Sequence, residues 1–134
     1  MIYALDSNII SAILIKDSNT INHYQQKIKQ GGEFIIPPIV FYEIERGLLA
    51  KNLLAKRRAF IDFCYDIEIG DFNYEIWCRA AQIYADLSKR GKLIGSGFDG
   101  DVFIAAYCIY NKYTLVTKNK RHFERIDGLL YECW

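Results

Sequence analysis

Ile2-Tyr3-Ala4-Leu5-Asp6-Ser7-Asn8-Ile9-Ile10-Ser11-Ala12-Ile13-Leu14-Ile15-Lys16 decides the fold. The apolar run at residues 2–5 reads as a short buried strand. Asp6, Ser7 and Asn8 are all good N-cap types, so residues 9–16 are expected to be helical. A strand that passes through an acidic residue straight into a helix opens an alternation, and the rest of the chain continues it.

Asp17-Ser18-Asn19 offers a second cap, for a polar helix over residues 20–30 that Gly31-Gly32 stops. Residues 33–36 read as a strand. Pro37-Pro38 opens a helix running to about Ala50, since proline is tolerated in a first turn. Residues 52–65 have helical spacing, 66–69 form a short strand candidate, and 73–90 a long amphipathic helix. Residues 91–100 hold Gly91, Gly95, Gly97 and Gly100 and are expected to be a loop. A helix over 101–111 follows, in which Ala105-Ala106 permits close packing. Then come a strand at 113–116, a loop with a short helix at 117–127, and a last strand at 129–133. This order predicts one domain over residues 1–134, a three-layer α/β/α sandwich with a central, mostly parallel sheet and right-handed crossovers.

In such sheets ligands bind beyond the carboxyl ends of the strands, at the switch point. Asp6 follows the first strand, and Thr117-Lys118-Asn119 follows a later one, so both are expected on the same edge. Two further acids border apolar runs. Glu43 sits in Ile39-Val40-Phe41-Tyr42-Glu43-Ile44, and Asp101 leads into Val102-Phe103-Ile104-Ala105-Ala106. An ionised carboxylate beside core-forming residues is costly unless a partner offsets it. Three such residues in 134 suggest a common pocket, and hard Mg2+ or Mn2+ suits an all-oxygen set.

Each acid also has a plainer reading. Asp6 can be a helix cap, although Ser7 and Asn8 offer the same service. Glu43 can lie on a solvated face; with Glu43 turned inward, Glu45 is expected to point to solvent near Arg46 or Lys51. Asp99 and Asp101 straddle Gly100 and can both favour a helix N-terminus. Only one cap is needed there, so Asp101 is read as a ligand and Asp99 as a fourth, outer acid. Such a pocket suits phosphodiester hydrolysis, because a bound cation can activate a water and neutralise charge on the phosphate. Asn8 is read as holding the loop and a carboxylate. Thr117 is read as hydrogen-bonding a ligand carboxylate or a metal-bound water. Lys118, Lys120 and Arg121 are read as contacts to flanking phosphates. His122 reads as a phosphate contact rather than a general base, and His23 as plain surface.

Bulk composition narrows the class. With 51% apolar and 25% charged residues the chain reads as globular, not disordered. A net charge of +1 announces no polyanion partner globally. Basic runs at residues 51–58 and 118–122 are either solvated faces or phosphate tracks. Cys64, Cys78, Cys108 and Cys133 show no zinc-ligand spacing, and the first three read as small buried hydrophobes. No secretory signal and no apolar run of the ~18 residues needed for a membrane span is present, so a reducing cytoplasm is expected.

Taken in order, Leu5-Asp6-Ser7-Asn8, Glu43 after a proline-led turn, Asp101-Val102-Phe103-Ile104-Ala105-Ala106, Thr114-Leu115-Val116-Thr117-Lys118-Asn119 and Phe123-Glu124-Arg125-Ile126-Asp127-Gly128-Leu129 resemble a PIN domain of the VapC toxin type. The resemblance runs from residue 2 to about 134. It implies an α/β/α fold with a parallel sheet and a Mg2+- or Mn2+-dependent endoribonuclease. It further implies a homodimer, a cognate antitoxin that inhibits it, and structured RNA such as tRNA or rRNA loops as substrate. By position Asp6, Glu43 and Asp101 match the family's three main acids. Many members carry a fourth acid after the threonine, where this chain has Asn119; its carbonyl can still ligate or hold a water, and Asp99 is the other candidate to compensate.

Two other readings compete. A phospho-accepting receiver module needs paired acids after its first strand, where Ser7 and Asn8 stand here. The other is an RNA- or partner-binding PIN-like domain of weak catalytic power, supported by the missing fourth acid. The helices between Pro38 and Tyr65 mix apolar and basic residues, which suits either core packing or a groove for an antitoxin tail.

Overall fold

The structure, a computed structural model, describes residues 1–93 and 99–134. The middle of the expected glycine loop, 94–98, lies outside the described residues. Five strands, β1 (Ile2–Leu5), β2 (Glu33–Ile36), β3 (Glu68–Ile69), β4 (Thr114–Thr117) and β5 (Tyr131–Cys133), form one sheet in the order β3-β2-β1-β4-β5. Every neighbouring pair is parallel, with Ala4 opposite both Ile35 and Leu115. The helices among the described residues are α1 (Ser7–Leu14), α2 (Ser18–Lys29), α3 (Pro38–Ala50), α4 (Leu54–Tyr65), α5 (Tyr74–Lys89), α6 (Gly100–Asn111) and α7 (Lys120–Phe123). The expected α/β/α architecture is present. No described helix is long and apolar enough to cross a membrane.

The chain runs outward from β1 through β2 to β3, then returns to place β4 on the other side of β1. The strand order therefore reverses between β1 and β4, and the crevice at their carboxyl ends is the natural ligand position. The core sits against those strands. Leu5, Ile36, Leu115 and Val116 are wholly buried, with Ile9 and Ile10 of α1, Phe60 of α4, Ile76 and Leu87 of α5, and Ile104, Ala105 and Ala106 of α6. Each fully buried Leu or Ile contributes about 1.5–3 kcal/mol relative to exposure. The small pair Ala105-Ala106 lets α6 sit deep in this core.

Several boundaries differ from those read off the sequence, each for a local reason. α1 begins two residues early because Asp6 is its own N-cap, with Oδ1 accepting from Ser7 N at 2.7 Å. Thr117 is the last residue of β4 rather than the first beyond it, and it is fully buried. β3 shrinks to two residues at the sheet edge, since Asp66 still caps α4. Gly128 turns at φ 81 and delays β5 to Tyr131. Cys64 is half-buried and Cys78 exposed; of the three cysteines expected inside, Cys108 alone is buried, and all four are free thiols. Cys78 falls off the stripe of Ile76, Ala80 and Leu87 by which α5 meets the core. Glu45 is turned inward, not to solvent: it pairs with Arg57 of α4, a partner twelve residues on that no local periodicity reveals.

Candidate active site

The site grows from the two central strand ends. Asp6 N bonds to Val116 O at 3.0 Å, which carries the β1–β4 ladder one residue past β1 and fixes the Asp6 Cα. Its side chain is 2% exposed. Oδ1 takes the Ser7 amide, while Oδ2 accepts from Thr117 Oγ1 at 2.6 Å and from Asn8 Nδ2 at 3.3 Å. Thr117 Oγ1 in turn accepts from Asn119 N at 2.9 Å. Asn8 closes the loop from the other side, its Oδ1 accepting from Lys118 N at 3.1 Å. Burial raises the Asp6 carboxyl above the ordinary carboxylate range, the Thr117 and Ser7 hydrogen bonds work against this, and the charge of Asp101 adds to the rise.

Glu43 reaches the same neighbourhood from α3. Its Oε1 is buried with no hydrogen-bond partner. Burial, followed by the charges of Asp6 and Asp101, pushes its carboxyl up to about 7, against a lowering by Arg46. Asp101 comes from the first turn of α6 and meets His122 of α7, Oδ2 to Nδ1 at 2.7 Å. Asp99 is exposed at the α6 N-cap position and makes no side-chain cap hydrogen bond.

Asp6, Glu43 and Asp101 thus feel one another's charge in every pairing. Among the described residues, however, no three Asp, Glu, His or Cys side chains stand close enough, as placed, to hold a metal ion. The two observations concern different distances. Coulomb coupling reaches several ångströms, whereas an oxygen ligand of Mg2+ must come within about 2.0–2.1 Å. The three acids are neighbours, and two of them are held by other groups, Asp6 by Ser7, Asn8 and Thr117 and Asp101 by His122. A hard cation nevertheless suits this pocket chemically: it holds an excess of negative charge, and one buried carboxylate oxygen has nothing to accept from.

The basic residues divide. Lys118 Nζ is tied to Thr20 Oγ1 at 3.0 Å and to the main-chain oxygen of Trp134 at 3.2 Å, so its ammonium braces α2 and the end of the described chain. Lys120 and Arg121 are exposed on α7. No local pattern around His122 shows that it faces an acid 21 residues away. Beside Glu43 a groove of about 330 Å³ is lined by Ser7, Ser11, Arg46 and Lys51. Glu43, Arg46, Gly47 and Lys51 share one helical stripe, so that lining was readable from i, i+3, i+4 spacing. His23 is not bare surface; it stacks on Trp134 with ring centroids 5.7 Å apart.

An open parallel sheet whose switch point gathers three coupled carboxylates defines an α/β protein with an acid-centred site. The PIN domain model matches residues 3–129, and the chain belongs to that family. Its relatives there are of the VapC type. It is 30% identical to the ribonuclease VapC2 of Haemophilus influenzae over 134 residues, 98% of this chain and 97% of that protein. It is 27% identical to the tRNA(fMet)-specific endonuclease VapC of Shigella flexneri over 98% of this chain and 97% of that protein. Among solved structures it resembles VapBC2 from Rickettsia felis bound to a DNA fragment from their promoter. That match has a TM-score of 0.89 at 29% identity and covers 100% of this chain and 99% of that one. Family membership displaces the receiver-module reading.

Proposed function

We propose that this protein is the toxin of a toxin–antitoxin pair, an endoribonuclease that hydrolyses phosphodiester bonds of structured RNA such as tRNA or rRNA in the cytoplasm, with Mg2+ or Mn2+. The observation that carries this reading is the Glu43 carboxylate: half-buried, electrostatically coupled to Asp6 and Asp101, with one oxygen lacking a partner. Asp6, Glu43 and Asp101 would hold the ion, with Asp99 as an outer acid. The ion, when bound, lowers the pKa of a water and neutralises charge on the scissile phosphate. The chain's own residues do the rest. Thr117 and Asn8 fix the Asp6 rotamer, and the Asn119 amide orients the Thr117 hydroxyl so that its proton points at Asp6. Lys120 and Arg121 line the approach for flanking phosphates.

The names of the VapC relatives and of the VapBC assembly support an antitoxin partner. An apolar recess of about 300 Å³, lined by Leu14, Ile15, Ile44, Leu48 and Leu53 with Lys56 at its edge, fits the apolar face of a partner helix. Tyr74, Trp77 and Tyr84, exposed along α5, suit the contact of a homodimer.

Asp6→Asn, Glu43→Gln and Asp101→Asn are each expected to abolish Mg2+-dependent RNA cleavage while leaving the circular dichroism spectrum unchanged. Cleavage at the unsubstituted rate by any of the three would remove that residue from the reaction, and by all three would overturn the proposal.

A further inference from the structure

We infer that His122 is a positioning residue for Asp101: its Nδ1–H holds Asp101 Oδ2 and so fixes the rotamer of that carboxylate within reach of the charges of Asp6 and Glu43. The inference rests on the ligand role proposed for Asp101. An ionised carboxylate has no proton to give, so the 2.7 Å contact requires the imidazole Nδ1 to be the donor. One oxygen of Asp101 is thereby engaged by the ring, and Oδ1 is not part of that bond.

Asp101 needs such a partner because of where it sits. It lies in the first turn of α6, whose N-cap residue Asp99 gives the helix no side-chain hydrogen bond. Orphan N–H groups at a helix N-terminus attract carboxylates. A side chain in that turn can fold back onto them, away from the sheet edge. His122 gives that carboxylate another partner, and it does so from a firm base. The next residue, Phe123, is wholly buried, and His122 N bonds to Asn119 O at 3.0 Å. Asn119 N binds the same Thr117 hydroxyl that holds Asp6. One short segment, 117–123, therefore braces two acids at once, Asp6 through Thr117 and Asp101 through His122. Partners of this kind that orient a metal-ligating carboxylate tune the affinity of the ion.

The test is direct Mn2+ binding, read from the loss of the free-ion electron paramagnetic resonance signal, with circular dichroism as the check on folding. His122→Ala is expected to weaken Mn2+ binding ~10- to 100-fold. His122→Asn, whose amide nitrogen occupies much the same place as Nδ1, is expected to restore most of the loss. Asp101→Asn is the control. If it loses Mn2+ while His122→Ala binds as the unsubstituted protein does, the positioning role is overturned and the metal reading stands. Should Asp101→Asn itself bind Mn2+ normally, the ligand role fails and the tether with it. Equal loss in His122→Ala and His122→Asn would show that an N–H donor at this place is not what matters, and would also overturn the inference. The His122 side chain is 39% exposed, so the fold should tolerate both changes, and the Asn variant carries the test if Ala unfolds.

Discussion

Thr117 donates its hydroxyl proton to Asp6 Oδ2 across 2.6 Å, joining the last residue of one central strand to the first residue beyond its neighbour. Thr117 Oγ1 also accepts the Asn119 amide, so one buried hydroxyl links strand, carboxylate and the turn into α7. Thr117→Val keeps the shape and removes the hydroxyl, taking the shortest donor from buried Asp6 Oδ2 and the acceptor from the Asn119 amide. A loss of about 1–3 kcal/mol is expected, read as a lower urea midpoint at unchanged slope. Thr117→Ser, which keeps the hydroxyl, should recover most of it; equal losses in the two variants would show that the methyl group matters more than the bond.

On the edge strand, just past β3, Gly70 lies against the ring of Tyr107. A Cβ built there would fall 1.9 Å from the Tyr107 hydroxyl and 2.6 Å from its Cζ. Tyr107 is 2% exposed and its ring is stiff, so it has little room to withdraw. Gly70→Ala should therefore cost about 1–3 kcal/mol through overpacking. Adding Tyr107→Phe removes the nearest atom but not Cζ, so the double variant should recover only part of the thermal stability. Full recovery, or no loss in the single variant, would mean that the edge strand β3 shifts freely.

Asp17 caps α2, its Oδ2 accepting from Thr20 Oγ1 at 2.6 Å and from Thr20 N at 3.0 Å. The Thr20 side-chain bond, then its amide, hold the carboxyl below the ordinary aspartate value, and Lys118 assists. A carboxyl whose folded pKa lies below its unfolded one stabilises the fold at pH above the unfolded value. That contribution disappears as pH falls through the folded value. The melting temperature of the unsubstituted protein should thus exceed that of Asp17→Ala at neutral pH, with the gap closing in the acid range below about pH 4. A gap independent of pH would assign the cap to packing instead.

The fold was legible because its signals are local. Residues 2–5 are apolar throughout, Asp17 caps, Gly31-Gly32 stops, and Pro37-Pro38 starts a helix, and each acts within a turn of chain. The edge at which Asp6 and Thr117 meet followed from strand order alone. What was not legible is tertiary. Glu45 turns inward because Arg57 arrives from the next helix. His122 looks like one more cation in a basic run until α6 is packed beside α7 and brings Asp101 to it. Cys78 marks a different case, since counting from Ile76 to Ala80 would have put it outside the buried stripe.

The basic run after β4 separates by the same logic. Lys118 is engaged with Thr20 Oγ1 and the Trp134 main-chain oxygen, whereas Lys120 and Arg121 stand in solvent. Lys118→Ala should lower stability by about 1 kcal/mol, because the buried Thr20 hydroxyl loses a donor. Lys120→Ala and Arg121→Ala should leave the melting temperature unchanged. Each should instead weaken binding of single-stranded RNA to a cleavage-dead Asp6→Asn protein, and reduce the slope of log affinity against log salt by about 0.7. Binding measured between about 50 and 200 mM salt separates the two kinds of lysine. A slope change in Lys118→Ala as large as that in Arg121→Ala would return Lys118 to the phosphate track.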